Sequence, residues 1–230
     1  MPELHAAVDN VEAWNDAFAA ENDIDAYYAE SSCLIRLIER RRLVCIRRMA
    51  AVGPGDRVLE VGCGGGHVLR MFPECELTGV DVSGRMLEKA RRNLRECRVE
   101  LHKGELHELD LPHEQYDAVI CTEVLEHAVD PEGILDDIQP LLRPGGRAVI
   151  TFPNDHLVNG LKGLIRTCGL TALPPFRRVS WGGDHYHLHV WRIPEMRALL
   201  GRYFTVTQER FAPSRLFPVR CCFQCAMTTR

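Results

Sequence analysis

The run Gly62-Cys63-Gly64-Gly65-Gly66 follows the apolar stretch Val58-Leu59-Glu60-Val61, and Asp81 stands 19 residues beyond Gly62 at the end of the next apolar run. Glycines after a strand let a ligand approach the backbone, and the chain beyond them offers amide N–H groups to an anion. An acid at this distance sits where a ribose diol is gripped. Loop, spacing and acid together predict a nucleoside site. The dinucleotide pattern G-x-G-x-x-G/A, started at Gly62, asks for a small residue at position 67, where this chain has His67. That departure favours a ligand without a pyrophosphate, one whose carboxylate and amino group meet the loop. Glu60 is costly to bury inside an apolar strand unless it organises the loop or a cationic ligand.

Three further clusters carry reactive side chains. Glu123, Glu126 and His127 start just past a predicted strand end, where an α/β sheet gathers ligands. They suit a general base for a hydroxyl nucleophile, a divalent metal site, or a loop that His127 merely orders. If His185, His187 and His189 lie on an extended segment, they share a face with Trp191, either as a polar surface or with one imidazole over the site. Cys221, Cys222 and Cys225 lack a second chelating pair, and Cys222 and Cys225 face opposite sides of a strand, so core thiols are expected. The run Arg40-Arg41-Arg42 reads as a solvated helix face, without interleaved stacking aromatics.

The elements that must hold these residues alternate from Arg57 onward. Strands are expected at Arg57–Val61, Leu77–Val82, Val99–Gly104, Tyr116–Thr122 and Arg147–Phe152. A short helix at 67–72 is stopped by Pro73, a strong one at 84–96 is capped by Ser83, and 131–142 is helical before the Pro144-Gly145-Gly146 turn. This order implies a doubly wound, mostly parallel sheet with helices on both faces. A helix at 194–200 and strands at 204–211 and 220–229 supply a C-terminal antiparallel hairpin. Residues 1–50 form an N-terminal helical cap on a domain at 51–230, with a lid or insertion at 155–190.

At 230 residues and 46% hydrophobic side chains, the chain should bury roughly 70% of its unfolded surface and needs no disulfide or metal to hold a core. Residues 1–30 carry eight acids and no Lys or Arg, the reverse of a signal peptide, and no apolar run approaches the roughly 20 residues of a membrane span. A cytoplasmic protein with reduced cysteines is expected. Its net charge of −4 hides an excess of +7 over residues 155–230, which fits an anionic substrate or a solvated basic surface.

From about Arg57 to Asn154 the chain resembles the Rossmann-like class I S-adenosylmethionine-dependent methyltransferases. VLEVGCGGG is similar to their first motif, VDVS to the acidic second strand end, GELHELDLP to the adenine-contacting segment, and YDAVICTEVLEH and LRPGGRAVITFPN to the fourth and fifth. S-adenosylmethionine, leaving as S-adenosylhomocysteine, has no pyrophosphate and fits the departure at His67. The resemblance implies a seven-stranded sheet in which Gly62, Cys63 and Gly64 line the methionine moiety and Asp81 binds the ribose. It puts Val82 on the adenine, Glu105 and Leu106 at its amino edge, and Cys121 and Thr122 near the amino acid end. EVLEH resembles ubiquinone-pathway and related small-molecule O-methyltransferases.

The leading expectation is therefore methyl transfer to a heteroatom, oxygen first, of a small molecule. His127 is the first candidate base and His187 the second, and no residue is assigned to metal. Because HLHVW with EVLEH also resembles the metal-dependent terminal 2′-O-methyltransferases of bacterial small RNA, that reading stays open, although nucleic acid is not the expected partner. A nicotinamide-dependent dehydrogenase is a distant third, and a non-catalytic adenosylmethionine sensor would bind without turnover. Acceptor identity and oligomeric state are not legible.

Overall fold

A computed structural model describes residues 11–21, 31–173 and 187–228. His185, with the rest of 174–186, lies outside the described residues. The strands are β1 (Arg57–Val61), β2 (Glu76–Asp81), β3 (Val99–Lys103), β4 (Tyr116–Thr122), β5 (Leu142–Pro153), β6 (Phe204–Ser214) and β7 (Phe217–Met227). They form one seven-stranded sheet in the order β3-β2-β1-β4-β5-β7-β6. The first five run parallel, and β7 inserts antiparallel between β5 and β6. This is the expected doubly wound sheet with its reversed C-terminal pair.

Alternation along each strand divides the core between two faces. On one face Val119, Cys121, Ile150, Phe152, Cys221, Phe223 and Cys225 pack with Leu135 and Ile138 of α4 (Pro131–Ile138) and with Met196, Leu199 and Leu200 of α6 (Ile193–Tyr203). On the other face Val58, Ala118, Ile120, Val149 and Cys222 meet Ile46, Met49 and Ala50 of α2 (Cys33–Ala50) and Leu87 and Ala90 of α3 (Gly84–Asn93). The terminal cysteines are buried free thiols, Cys222 facing opposite to Cys221 and Cys225. Helix α1 (Val11–Glu21) precedes α2, and α5 (Asp155–Thr167) follows β5 directly.

Local chemistry sets the boundaries. Ser83 caps α3, its hydroxyl accepting the Met86 N–H at 3.2 Å. The helix expected at 67–72 is a single 3-10 turn, Leu69–Met71, too close to Pro73 to grow. Helix α4 ends at Ile138, and a 3-10 turn over Gln139–Leu141 accommodates Pro140, which has no N–H to continue the ladder. The Pro144-Gly145-Gly146 turn lies inside β5, where pairing with β4 jumps from Tyr116↔Leu142 to Ala118↔Arg147, a bulge rather than a break. Residues 187–190 form no strand.

Strand order reverses between β1 and β4. In an open α/β sheet the crevice outside the carboxyl ends at such a switch point receives ligands. The glycine loop leaves β1 there, and the Glu123–His127 turn leaves β4 beside it.

Candidate active site

The loop departs at Gly62 with φ +67°, and a Cβ there would lie 2.4 Å from Val124 Cγ2. Glycine is required twice over, by the left-handed backbone and by the contact with the turn after β4. Cys63 N–H donates to Val80 O at 2.9 Å and Gly64 N–H to Asp81 Oδ2 at 2.7 Å, stitching the loop to the end of β2. Asp81 Oδ1 accepts Ser83 N–H at 2.9 Å, and each carboxylate oxygen keeps a further acceptor site. Burial pushes the Asp81 carboxyl up, opposed by these two amide bonds. The Ser83 hydroxyl donates to Asp16 of α1, so α1 rests on the same corner.

Glu60 is buried behind the loop, with Thr122 Oγ1 donating to its Oε1 at 3.3 Å. Burial pushes its carboxyl up to about 8, against the pull of the Arg42 charge and the Thr122 bond. At neutral pH the group is largely protonated. Cys63, Leu106 and Cys121 are buried in the core, Cys121 completely so, while Val82 and Glu105 remain partly exposed. Gly62, Cys63, Gly64 and Asp81 are thus brought together, whereas the Cys121 side chain turns into the sheet core and the Thr122 hydroxyl is taken by Glu60.

The Glu123–His127 turn divides into two environments. Glu123, at φ +56°, accepts Thr151 Oγ1 at 2.9 Å and lies 3.2 Å from Arg220 Nε and 4.0 Å from Arg42 Nη1. Both arginines also reach Glu39 of α2, at 3.1 Å and 2.8 Å. Their charges outweigh the burial that would raise Glu39 and hold it below the ordinary carboxylate range. Arg42 is therefore buried, in contrast to the solvated face expected of the Arg40–Arg42 run. Glu123 belongs to this ion-pair network, apart from Glu126 and His127.

Glu126 is 1% exposed, and neither carboxylate oxygen has a hydrogen-bond partner among the described residues. Burial, then the Glu123 charge, push it well above the usual carboxylate range. Its backbone carbonyl accepts Leu188 N–H at 2.7 Å and His189 N–H at 3.0 Å, strapping residues 187–190 across the turn. The His187 ring meets the His127 ring edge-on at 4.8 Å, and the Trp14 ring of α1 lies 6.3 Å from that of His127. Donor atoms of Glu126, His127 and His187 all lie within 4.8 Å of one another. His189 instead stacks on Trp191 at 5.3 Å, with Nε2 3.0 Å from Ala128 O.

One residue the sequence reading missed completes the cluster. Asp155, the first residue of α5, places Oδ2 2.7 Å from His187 Nδ1. The available signal was its position just after Pro153-Asn154, at the carboxyl end of β5. A carboxylate on Nδ1 fixes the proton there and leaves Nε2 as the acceptor.

Fold and site together define an α/β nucleoside-binding domain with a histidine pair at the cleft. Residues 59–150 match the methyltransferase domain family. Over 169 residues the chain is 34% identical to the ubiquinone biosynthesis O-methyltransferase of Bordetella avium, covering 71% of this chain and 68% of that protein. The same enzyme of Aeromonas salmonicida is 40% identical over 106 residues, a stretch spanning only 44% of that relative's length and 44% of this chain. In fold, magnesium protoporphyrin IX methyltransferase from Synechocystis PCC 6803, solved with bound S-adenosylhomocysteine, gives a TM-score of 0.68 at 18% identity over 95% of this chain and 98% of its own. The chain belongs to the class I S-adenosylmethionine-dependent methyltransferases. That membership sets the nicotinamide reading aside. No helix among the described residues is long and apolar enough to cross a membrane.

Proposed function

We propose that this protein transfers the sulfonium methyl of S-adenosylmethionine to a hydroxyl oxygen of a small, anionic molecule, with His187 as the base that Asp155 orients. The observation that carries the reading is the 2.7 Å contact between Asp155 and His187 Nδ1, beside His127. The acceptor oxygen attacks the methyl carbon in line, a C–O bond forms, the S–C bond breaks, and its electron pair returns to sulfur as the neutral thioether. The acceptor proton passes to His187 Nε2. Charge disperses in this step, so alignment supplies most of the acceleration.

For the cofactor, Gly62, Cys63 and Gly64 would cradle the methionine end, and Asp81, already holding two amides, would take the ribose hydroxyls. Val82 would pack on the adenine, with Glu105 and Leu106 at its edge. Cys121 and Thr122 would approach the amino acid end through their backbone, because their side chains are engaged. Protonated Glu60 organises the loop from behind. The N-terminal segment 1–50 and the insertion 155–190 would choose the acceptor. Oxygen as target is supported by the O-methyltransferase activity of the relatives above.

A second reading rests on Glu126. Two buried, unpartnered carboxylate oxygens beside two imidazoles fit a divalent cation, which Glu126, His127 and His187 would hold. Such an ion supplies Lewis acidity toward the acceptor oxygen. Incubation with radiolabelled S-adenosylmethionine and a panel of hydroxylated acids, with and without chelator, tests both. Oxygen-linked product formed equally under chelation supports the base; loss restored by magnesium or zinc supports the metal. Failure to bind S-adenosylhomocysteine in calorimetry, or methylation confined to nitrogen, defeats the proposal.

A further inference from the structure

The arginines of α2 and the basic C-terminal third converge outside the site just described. Arg41, Cys45 and Arg48 repeat at helical spacing on α2 and line a half-open cavity of about 330 Å³, bounded on its other side by Arg210, Phe211 and Arg215 of β6 and its following turn. Four arginines line one small volume. Like charges lining one cavity repel unless a carboxylate intervenes. The only acid of the lining, Glu209, is already gripped by Arg197, through Nε at 2.6 Å and Nη2 at 2.9 Å. Among the described residues none of the four arginines forms an ion pair, Arg215 touching Glu209 only through its charge, and Arg210 Nε donates to Gln208 at 3.1 Å.

We propose that this cavity is a binding site for a phosphate-bearing ligand. A guanidinium fork pairs bidentately with phosphate oxygens, and a multiply charged anion relieves the repulsion that the free protein carries. Val44, Phe211 and Pro213 give the wall an apolar part against which the rest of such a ligand packs. The cavity shares no residue with the cofactor loop or the histidine cluster, so the inference stands independently of the methyl-transfer reading.

Cys45 serves as a built-in reporter. Its hydrogen bond with Cys222 and the charges of Arg210, Arg48 and Arg41, acting against burial, bring its thiol down to about 7. Cys45, partly exposed in the cavity wall, therefore ionises more readily than an ordinary cysteine, and its alkylation reports on the arginines around it.

The experiment titrates the full chain with inorganic pyrophosphate in calorimetry, beside an Arg48→Ala/Arg210→Ala variant. Both arginines are exposed, so the variant should keep its thermal midpoint. Saturable binding that weakens roughly tenfold or more in the variant is expected. At ten times the Kd, pyrophosphate should slow iodoacetamide alkylation of Cys45 roughly tenfold, with exposed Cys33 and Cys168 unaffected as references. Flotation with phosphatidylcholine vesicles carrying phosphatidic acid separates the sources. Co-flotation lost in the variant identifies a lipid headgroup, and pyrophosphate binding without co-flotation identifies a soluble phosphate. Binding of neither probe, equal affinity in the variant, or an unprotected Cys45 overturns the proposal.

Discussion

A single methyl at Gly62 probes how tightly the glycine loop and the turn after β4 are locked together. Alanine at φ +67° pays roughly 1–2 kcal/mol for left-handed backbone. Its Cβ would also sit 2.4 Å from Val124 Cγ2, about 1 Å short of ordinary contact, and overpacking of this kind costs roughly 1–3 kcal/mol. Gly62→Ala should therefore lose roughly 2–5 kcal/mol in urea unfolding and weaken S-adenosylhomocysteine binding in calorimetry. Val124→Ala removes the clashing methyl, so in the double variant the packing share returns and only the backbone share remains. The two substitutions should couple by roughly 1–3 kcal/mol, the double variant being more stable than the sum predicts. Additivity within about 0.5 kcal/mol would refute the argument, because the loop would then not lean on Val124.

Glu60 titrates at about 8 in the fold against a reference of 4.5, so between these values the unfolded chain ionises while the native one stays protonated. Stability should fall by roughly 5 kcal/mol as pH rises across that window, and Glu60→Gln should flatten the slope in denaturation series from pH 5 to 8. Glu39→Gln removes the carboxylate that Arg42 and Arg220 share in the interior and should cost roughly 3–5 kcal/mol near pH 7, read from urea midpoints. Because the folded Glu39 is held below its ordinary range, the deficit should shrink as acid protonates it in the wild type. Asp155→Asn should lower kcat roughly a hundredfold or more with S-adenosylhomocysteine affinity unchanged, since it disturbs only the tautomer of His187; equal loss of both would assign Asp155 to the scaffold.

The sheet was legible because buried parallel strands announce themselves as short apolar runs between glycine and proline punctuation, as at Arg57–Val61 and Tyr116–Thr122. The glycine loop and Asp81 were legible because their spacing is fixed by one strand, one turn and the next strand. Three things escaped. Arg42 reads as surface from its neighbours, and only the fold reveals that Glu39, Glu123 and Arg220 gather around it from three elements. Asp155 is 32 residues from the histidine it contacts, and no local pattern encodes that meeting. The bulge at Pro144-Gly145-Gly146 looks like a turn because local chemistry is the same in both; the pairing with Tyr116 and Ala118 decides.

Helix α2 joins a buried ion-pair network to the core of the sheet. Its first half carries Glu39 and Arg42 into the network around Glu123, its second half sends Ile46, Met49 and Ala50 under the sheet, and the Met49 carbonyl accepts Gln224 Nε2 at 2.6 Å. The leading fifty residues cannot then be traded between relatives as one cassette. A chimera that borrows a relative's leading segment must be spliced ahead of Ser32, so that α2 travels with the sheet it packs on.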